Sequence, residues 1–403
     1  MSMEDSVKVK DRLAAVGSAA GELALPPDAI DEEGEVDGDP TLDERYYYAS
    51  QWELIRARFL RHRLAMISLV LLIALYILAI FAGFFSPYTP DTRFEGYQQA
   101  PPVRIHIMDE NGLHRPFIYA FEKTLNQQTF KYEFTENKEA KYPILFFVEG
   151  KPYKLLGLWD TNIHLFGTGE GNPPLLLFGA DQLGRDIFTR TLFGGRISLS
   201  IGLVGVALSF LLGILLGGIS GYFGGIVDEI IQRTIDFLIS IPSLPLWMAL
   251  SAALPRDWSV IKTYFAITVI LSVIGWTGLA RVVRGKLLAL REEDYAMAAK
   301  AAGASEARII FRHLLPGFTS HLIVSLTLAI PNMILAETAL SFIGLGMQPP
   351  AVSWGTLLKD AQNIVAIAHQ PWQLIPALFV IGTVLLFNFV GDGLRDAADP
   401  YQK

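Results

Sequence analysis

The stretch ISLSIGLVGVALSFLLGILLGGIS, residues Ile197–Ser220, runs for 24 residues without a charged side chain. A second such stretch, Leu64–Phe85, runs for 22 residues. A helix needs about 20 residues to cross a hydrocarbon core about 30 Å thick, so either stretch can span a membrane. Across all 403 residues only 18% are charged and 51% are hydrophobic, whereas soluble domains carry about 25% charged residues. We therefore predict a polytopic membrane protein and exclude collagen, disulfide-scaffold and wholly disordered architectures.

Further apolar stretches predict an all-α fold of six transmembrane helices. The predicted spans are Leu64–Phe85, Ile197–Ser220, Phe237–Leu254, Tyr264–Ala280, Leu322–Ile343 and Leu374–Gly391. Pro242 and Pro245 are expected to break the third span and Pro331 the fifth, because proline lacks a backbone N–H. Glycines in the second span predict close packing, since small residues let helix backbones approach in lipid. They are Gly202, Gly205, Gly213, Gly217 and Gly218.

The charge distribution predicts the N-terminal organisation and the orientation. Residues 1–45 hold 13 acidic and 4 basic residues, so we predict that residues 1–50 form a disordered acidic cytoplasmic tail. Residues 51–85 are predicted to be a basic juxtamembrane segment followed by the first span. The basic residues are Arg56, Arg58, Arg61 and Arg63. Because basic flanks stay cytoplasmic, both termini of a six-span chain are expected in the cytoplasm.

Residues 86–178 separate the first two spans and are predicted to be an extracytoplasmic insert. Alternating apolar and aromatic residues, as in Phe130–Phe134 and Ile144–Val148, are typical of strands. Gly150 and Lys151 provide a turn signal after the second of these runs. The insert is therefore predicted to be a small, mostly β domain.

The cytoplasmic loop 285–318 carries the most informative local pattern. Strong helix formers predict a helix over residues 294–302, and Gly303 is a residue that typically follows a helix end. A second helix is predicted over residues 305–315, ending at Pro316. The first helix has an almost continuous alanine surface, which suits docking into a groove of another protein. The alternative is an amphipathic hairpin that lies on the membrane.

The same loop resembles the EAA motif of ABC importer permeases, which reads Glu-Ala-Ala, three residues, Gly, nine residues, Ile, one residue, Leu-Pro. Met297-Ala298-Ala299, Gly303, His313 and Leu315-Pro316 stand at those spacings, with Met297 replacing the glutamate and His313 the isoleucine. Other matching stretches are Phe178–Arg190, Gly194–Leu199, Leu340–Gly346, Gln348–Pro350, Ser353–Gly355, Asn388–Asp396 and Asp399-Pro400. Together they resemble the C-type (OppC/DppC) permease of the dipeptide/oligopeptide family, in a subgroup with an enlarged first external loop. The permease core is predicted over residues 179–400.

The resemblance implies one half of an ATP-driven, binding-protein-dependent importer with the type I permease fold, in the bacterial inner membrane. Expected partners are a second homologous permease, two ABC ATPase subunits, an extracytoplasmic solute-binding protein and membrane lipid, with no nucleic acid. The chain is expected to be no enzyme and to hold no cofactor, since ATP and Mg²⁺ belong to the ATPases and the sequence has no Gly-x-x-x-x-Gly-Lys-Ser/Thr motif. The expected cargo is peptides, with oligosaccharides or opines as the alternative. The insert is expected to contact the binding protein or the partner permease, or to be a passive cap.

Two groups of residues receive predicted roles. The ATPase-coupling group lies on the loop and comprises Tyr295, Met297, Ala298, Ala299, Ala302, Gly303, Leu315 and Pro316. The translocation-path group lies within spans and comprises Glu337, Asn332, Trp276 and Asn388. For these four the alternative role is hydrogen bonding or packing between helices. Asp228, Arg233 and Asp236 beside the third span are expected to form Asp–Arg pairs.

The rival class is an intramembrane enzyme. Residues Gly218–Gly221 fit the Gly-x-Ser-Gly pattern of rhomboid-like serine proteases. That chemistry needs a histidine within reach of the serine, and no predicted span has a histidine in its interior. The sequence also has no His-Glu-x-x-His motif and no cysteine, which excludes thiolate metal sites and cysteine nucleophiles. Glycine packing explains the match, so the protease is kept only as a remote alternative.

Overall fold

The computed structural model describes residues 51–399 except for 110–111, 128–130 and 363–367. The tail predicted over residues 1–50 lies outside this part of the chain. Helix α1 (Gln51–Arg61) is the first described element. The chain divides into two units between Ala57 and Arg58, and every site discussed below lies in the second unit.

The fold is mostly helical, as the long apolar stretches predict. The helices after α1 are α2 (Arg63–Ile80), α3 (Ala82–Phe85), α4 (Ile187–Phe223), α5 (Gly225–Ser240), α6 (Ser243–Ala252), α7 (Val260–Leu290), α8 (Asp294–Ala301), α9 (Glu306–Arg308), α10 (Thr319–Ile343), α11 (Trp354–Asp360) and α12 (Ile375–Ala398). Within the described ranges, five helical segments are long and apolar enough to cross a membrane, and α5 with α6 makes a sixth if the bent pair is one span. The predicted class, a polytopic helical membrane protein with a small β insert, is confirmed.

The third predicted span, Phe237–Leu254, is not one straight helix. Helices α5 and α6 meet at 87°, and Ile241 at the break has an extended backbone, the conformation that a following proline imposes. Pro242 thus breaks the span as predicted. Pro245 does not, because it lies in the first turn of α6, where a helix has no use for its N–H.

Helices α4 and α7 run side by side in the same direction, so the chain between them must cross back. A Cβ on Gly213 would meet Leu279, and a Cβ on Gly221 would meet the backbone of Arg284 at 2.8 Å. The contacts therefore advance along both helices together. The bent pair of α5 and α6 is the segment that returns across, and the predicted glycine packing of the second span is confirmed.

Two helix boundaries differ from the hydropathy prediction. Helix α4 begins at Ile187, well before Ile197, because the charge of Arg196 is satisfied by the last carbonyls of α2: Nε donates to Ala79 at 2.8 Å and Nη2 to Ile80 at 2.9 Å. Helix α7 continues to Leu290, beyond Ala280, where the fourth span is predicted to end.

Pro331 lies inside α10, and the prediction that it breaks the fifth span is wrong. Ile330 and Ile334, on either side of it, pack onto Gly202 of α4. Packing against the neighbouring helix therefore keeps α10 continuous despite the missing hydrogen-bond donor.

The insert contains two antiparallel sheets. Strands β1 (His106–Asp109), β2 (Gly112–Asn126) and β3 (Lys131–Pro143) form one sheet in that order, and β4 (Leu145–Leu155) and β5 (Trp159–Gly167) form a separate hairpin. A buried cluster joins the first sheet to the segment that leads into α4. It comprises Ala100, Val103, Ile118, Ile144, Leu175, Leu176 and Ala180. The mostly β character of the insert is confirmed.

Candidate functional site

The loop that follows α7 begins with α8, as the helix formers predict. Helix α8 ends in a Schellman motif: the N–H of Gly303 donates to Lys300 at 3.0 Å, and the N–H of Ala304 donates to Ala299 at 3.1 Å. Gly303 has φ +80°, a left-handed conformation that glycine adopts without strain. The predicted glycine turn is therefore present.

The second half of the loop differs from the predicted single helix. Ser305 caps α9 by accepting a hydrogen bond from the N–H of Arg308 at 3.4 Å. A π-helical segment (Ile309–Leu314) and a 3₁₀ segment (Leu315–Phe318) follow. Pro316 does not end the helical path, because it lies in the first turn of the 3₁₀ segment, where its missing N–H is not needed. The chain thus runs helically from α9 into α10.

One face of α8 packs onto the chain's own core. Ala296 is buried, and Ala299 and Leu315 are half-buried against the same cluster. The buried members of this cluster are Val283, Leu287, Ala296, Ile309, Leu314, Phe318 and Leu322. The cluster joins α7, α8 and α10, so the loop is a packed extension of the spans.

The opposite face of α8 is open. Tyr295 and Met297 are 44% and 52% exposed, and Ala298, Ala302 and Gly303 are exposed as well. The predicted coupling group therefore divides in two: Ala299 and Leu315 stabilise the loop, while the other members are at the surface. The exposed members are those available to a partner.

A cavity of about 870 Å³ lies between α8 and the end of α4. Its lining includes Tyr222, Arg291, Met297, Lys300 and Glu306. The Arg291 guanidinium donates through Nη1 to the carbonyl oxygen of Tyr222 at 3.3 Å, which ties the start of the loop to the end of α4.

Two ion pairs join α5 to α7 near the loop. Arg284 contacts the carboxylate of Asp228 through Nε and Nη2, each at 2.5 Å, and Arg281 pairs with Asp236. The expected Asp–Arg pairing is present for Asp228 and Asp236, but both arginines are on α7, which runs antiparallel to α5 here. Ser220 donates to Asp228 at 2.5 Å and accepts from Gln232 at 3.0 Å. Its hydroxyl is thus committed to the same junction, which disfavours the protease alternative.

Glu337 lies at the centre of a buried polar network. Its carboxylate accepts from the hydroxyls of Ser198 at 3.0 Å and Ser341 at 2.7 Å. Ser198 in turn accepts from the N–H of Trp354 at 3.1 Å, and Ser341 from that of Met347 at 2.9 Å. Glu337 is 0% exposed. The network joins α4, α10 and the segment before α11, which supports the helix-joining alternative for this residue.

The other three candidate path residues have different surroundings. Trp276 is buried against Ile235 of α5. Asn388 on α12 is half-buried. Asn332 on α10 is exposed and donates to the carbonyl oxygen of Leu328 at 3.2 Å. The structure therefore does not bring the four residues together in the isolated chain.

The sequence analysis did not predict an ion cluster at the end of α4 nearest the insert. Arg190 is 3% exposed and donates through Nη1 to Asp181 at 2.6 Å and Asp360 at 3.3 Å. Arg185 also pairs with Asp181, at 2.7 Å. The spacing of Asp181 and Arg185 was a usable local signal, but Asp360 comes from a distant helix and had none.

Asp186 caps the same end of α4. Its carboxylate accepts from the N–H groups of Phe188 and Thr189 and from the Thr189 hydroxyl. Burial raises the pKa of Asp186 from 3.8 to about 7, against the opposing effect of these hydrogen bonds. The cap thus fixes where α4 begins.

Comparisons with known proteins agree with this architecture. Residues 213–402 match the family described as binding-protein-dependent transport system inner membrane component, and residues 50–102 match the N-terminal TM domain of oligopeptide transport permease C. The oligopeptide transport system permease protein OppC of Bacillus subtilis is 42% identical over 224 residues, which cover 55% of this chain and 71% of the relative. The chain belongs to the family of binding-protein-dependent transport system inner membrane components.

Other relatives of the permease have similar coverage. The dipeptide transport system permease protein DppC of Bacillus subtilis is 42% identical over 224 residues, covering 55% of this chain and 68% of the relative. OppC of Haemophilus influenzae is 41% identical over 242 residues, covering 60% and 75%. Among solved structures, the inward-facing MetNI methionine ABC transporter matches 51% of this chain and 94% of that chain, with 18% identity and a TM-score of 0.38.

Membership confirms the predicted family and the class of function. The permease is a multi-pass inner-membrane component of a binding-protein-dependent ABC importer. Members of this family work with ATPase subunits and a binding protein, so partners of these two kinds are implied for the permease.

Proposed function

We propose that the permease forms one half of the translocation path of an ATP-driven peptide importer. The observation that carries the cargo class is its relation to two curated permeases whose names specify oligopeptide and dipeptide transport. Oligosaccharides and opines are the alternative cargo, and neither appears in the names of those relatives. The other half of the path is a second, homologous permease.

The coupling of transport to ATP is assigned to α8. Its exposed face, with Tyr295, Met297 and Ala298, lies on a loop whose other face is packed onto the spans. Small side chains let a partner approach closely, and the packed face transmits its motion. Two ATPase subunits bind this loop and its equivalent on the second permease. The ATPase subunits bind ATP and Mg²⁺ and hydrolyse the ATP, while this chain holds no cofactor and catalyses no reaction.

The orientation follows from the same assignment. The loop and both termini lie in the cytoplasm, and the insert lies outside, where the binding protein delivers the cargo. Asn332 is the favoured path residue, because an exposed amide within a span is costly in lipid and suits a wet path or a partner helix. Asn388, a half-buried amide within the span of α12, is a second candidate.

Transport and ATP hydrolysis in proteoliposomes test this proposal. The permease is reconstituted with the second permease, the ATPases and the binding protein. We expect peptide-loaded binding protein to stimulate ATP hydrolysis and a labelled peptide to accumulate. Stimulation by an oligosaccharide but by no peptide would overturn the cargo assignment, and ATP hydrolysis by the purified permease alone would overturn the assignment of hydrolysis to other subunits.

The insert is proposed to contact the binding protein or the partner permease. Met108 and Leu113, opposite each other on β1 and β2, are 62% and 76% exposed, an apolar pair open to a partner. Deleting residues 100–165 should impair uptake. The deletion also removes members of the buried cluster that packs around Leu176, so it can unfold the neighbouring segment. Leu113→Arg is the cleaner change, with Leu113→Met as the control. We expect Leu113→Arg to raise the binding-protein concentration needed for stimulation, and an unchanged requirement would favour a passive cap.

A further inference from the structure

The β4–β5 hairpin lies against the short helix α3, which follows the first span. The carbonyl oxygen of Ser86 is 2.6 Å from Nδ1 of His164. The ring of Tyr153 covers Gly83, so closely that a Cβ there would clash with it. These contacts fix the hairpin beside the end of the first span.

The order of the contacts shows which way the hairpin points. Gly167 faces Pro87, with 3.9 Å between a Cβ on Gly167 and the Pro87 Cβ, and His164 meets Ser86. Tyr153, which pairs with Thr161 across the hairpin, covers Gly83. Following the hairpin towards its turn therefore leads back along the chain from Pro87 to Gly83, in the direction of the span.

Trp159 lies five residues from His164 in the sequence, and a strand advances about 3.3 Å per residue, so the turn lies up to roughly 16 Å beyond Ser86. That distance is about half the thickness of a hydrocarbon core.

The turn itself is apolar and exposed. Leu156, Leu158 and Trp159 are 46%, 72% and 61% exposed. Leu156 adopts φ +53°, a position where asparagine or glycine is favoured in a tight hairpin turn. A leucine there has a strained backbone, and its side chain is exposed at the surface. A charged pair, Lys154 opposite Asp160, precedes this turn on the two strands.

We propose that the turn, residues 155–159, inserts into the membrane interface beside the end of the first span that leads into the insert. The charged pair would lie among the lipid headgroups, and the leucine and tryptophan side chains beyond it would reach the start of the acyl chains. Tryptophan favours this boundary between headgroups and acyl chains. Ile77 and Ile80 at the same end of α2 are 44% and 46% exposed, so the turn continues an apolar surface that faces lipid. The partner is the bilayer, and the hairpin fixes the height of the insert above it.

Spin labels on single cysteines test this, because the chain has no native cysteine. The permease, with the subunits that co-purify with it, is placed in phosphatidylcholine/phosphatidylglycerol nanodiscs. Labels go on Leu158→Cys, on Ile77→Cys as the lipid reference, and on Lys138→Cys, an exposed position of β3, as the aqueous reference. Collision rates with oxygen and with a neutral nickel chelate are measured.

We expect the Leu158 label to resemble the Ile77 label, with frequent oxygen collisions and at least fivefold fewer nickel collisions than the Lys138 label. Nickel access equal to that of Lys138 would overturn the proposal. Protection from both reagents would also overturn it, since protein would then cover the turn. Trp159→Cys is the second label position, and retained ATPase stimulation shows that each labelled variant is folded.

Discussion

The replacement of Gly303 by valine isolates the role of the turn after α8. Gly303 has φ +80°, and among the described residues no atom beyond its neighbours lies within 4 Å of the place a Cβ would occupy. The substitution therefore adds no clash and acts through the backbone alone. A left-handed conformation costs an L-residue roughly 1–2 kcal/mol, and about 1.4 kcal/mol is a factor of ten in an equilibrium.

The native turn should thus lose roughly 5- to 30-fold in population relative to other loop conformations. Gly303→Asn is the matched control, because asparagine adds a side chain of similar size but tolerates the left-handed region. We expect Gly303→Val to insert normally and to lose most co-purification with the ATPase and most binding-protein-stimulated hydrolysis. Gly303→Asn should retain most of both.

Two results would refute this reasoning. Full transport by Gly303→Val at normal expression would remove the turn from the coupling mechanism. Equal loss in Gly303→Asn and Gly303→Val would show that any side chain at this position blocks the partner. The backbone cost differs between the two variants, so it could not explain an equal loss. Both measurements are normalised to the amount of permease in the membrane.

Four further outcomes are expected. Ala298→Trp should abolish ATPase co-purification without changing the melting temperature, whereas Ala299→Trp should lower that temperature because Ala299 packs onto the loop core. Met297→Glu should leave transport unchanged, because it restores the glutamate of the EAA motif at a position that is 52% exposed and has room for it. Glu337→Ala should destabilise the permease by about 1–3 kcal/mol in a denaturant titration, because two buried hydroxyls lose their acceptor, and Glu337→Gln should cost less. The pKa of Asp186 is raised from 3.8 to about 7, so between these pH values the folded chain binds a proton that the unfolded chain has lost. The stability of the fold should therefore fall as pH rises from about 4 to 7 and level off above. Asp186→Asn, which keeps the cap, should flatten that slope in melting curves.

Local sequence signals predicted α8 and its turn because the cause is itself local. Helix formers, Gly303 and the Ser305 cap act within a few residues of one another. The direction in which α8 faces was not predictable in this way. Its eight residues, Asp294–Ala301, contain so many alanines that no apolar stripe marks one side. Only packing against the cluster that contains Leu287 and Ile309 makes Ala299 an inner residue, while Ala298 stays exposed.

Charges in spans show the same limit. Hydropathy placed the start of the second span after Arg196, since an isolated arginine is costly in lipid. The structure carries α4 through Arg190 and Arg196 because their partners neutralise or satisfy them: Asp181 and Asp360 for Arg190, and the carbonyls that end α2 for Arg196. Asp181 lies near Arg190 in the sequence, but Asp360 and the carbonyls that end α2 come from distant parts of the chain, and no spacing in the sequence connects them to these arginines.

The connections between α8 and the spans are short and held by several contacts, and this determines how the proposed coupling would work. Helix α7 ends at Leu290 and α8 begins at Asp294, and within the connection Arg291 donates to the end of α4. On the other side, the chain continues helically from α9 into α10. A displacement of α8 therefore reaches α7 and α10 through two short turns and through the loop core that the three helices share, and both α7 and α10 pack on α4. The Asp228–Arg284 pair extends the same rigid unit to α5. The loop is thus connected to four helices, α4, α5, α7 and α10. Closure of an ATPase against the exposed face of α8 would therefore move these helices together.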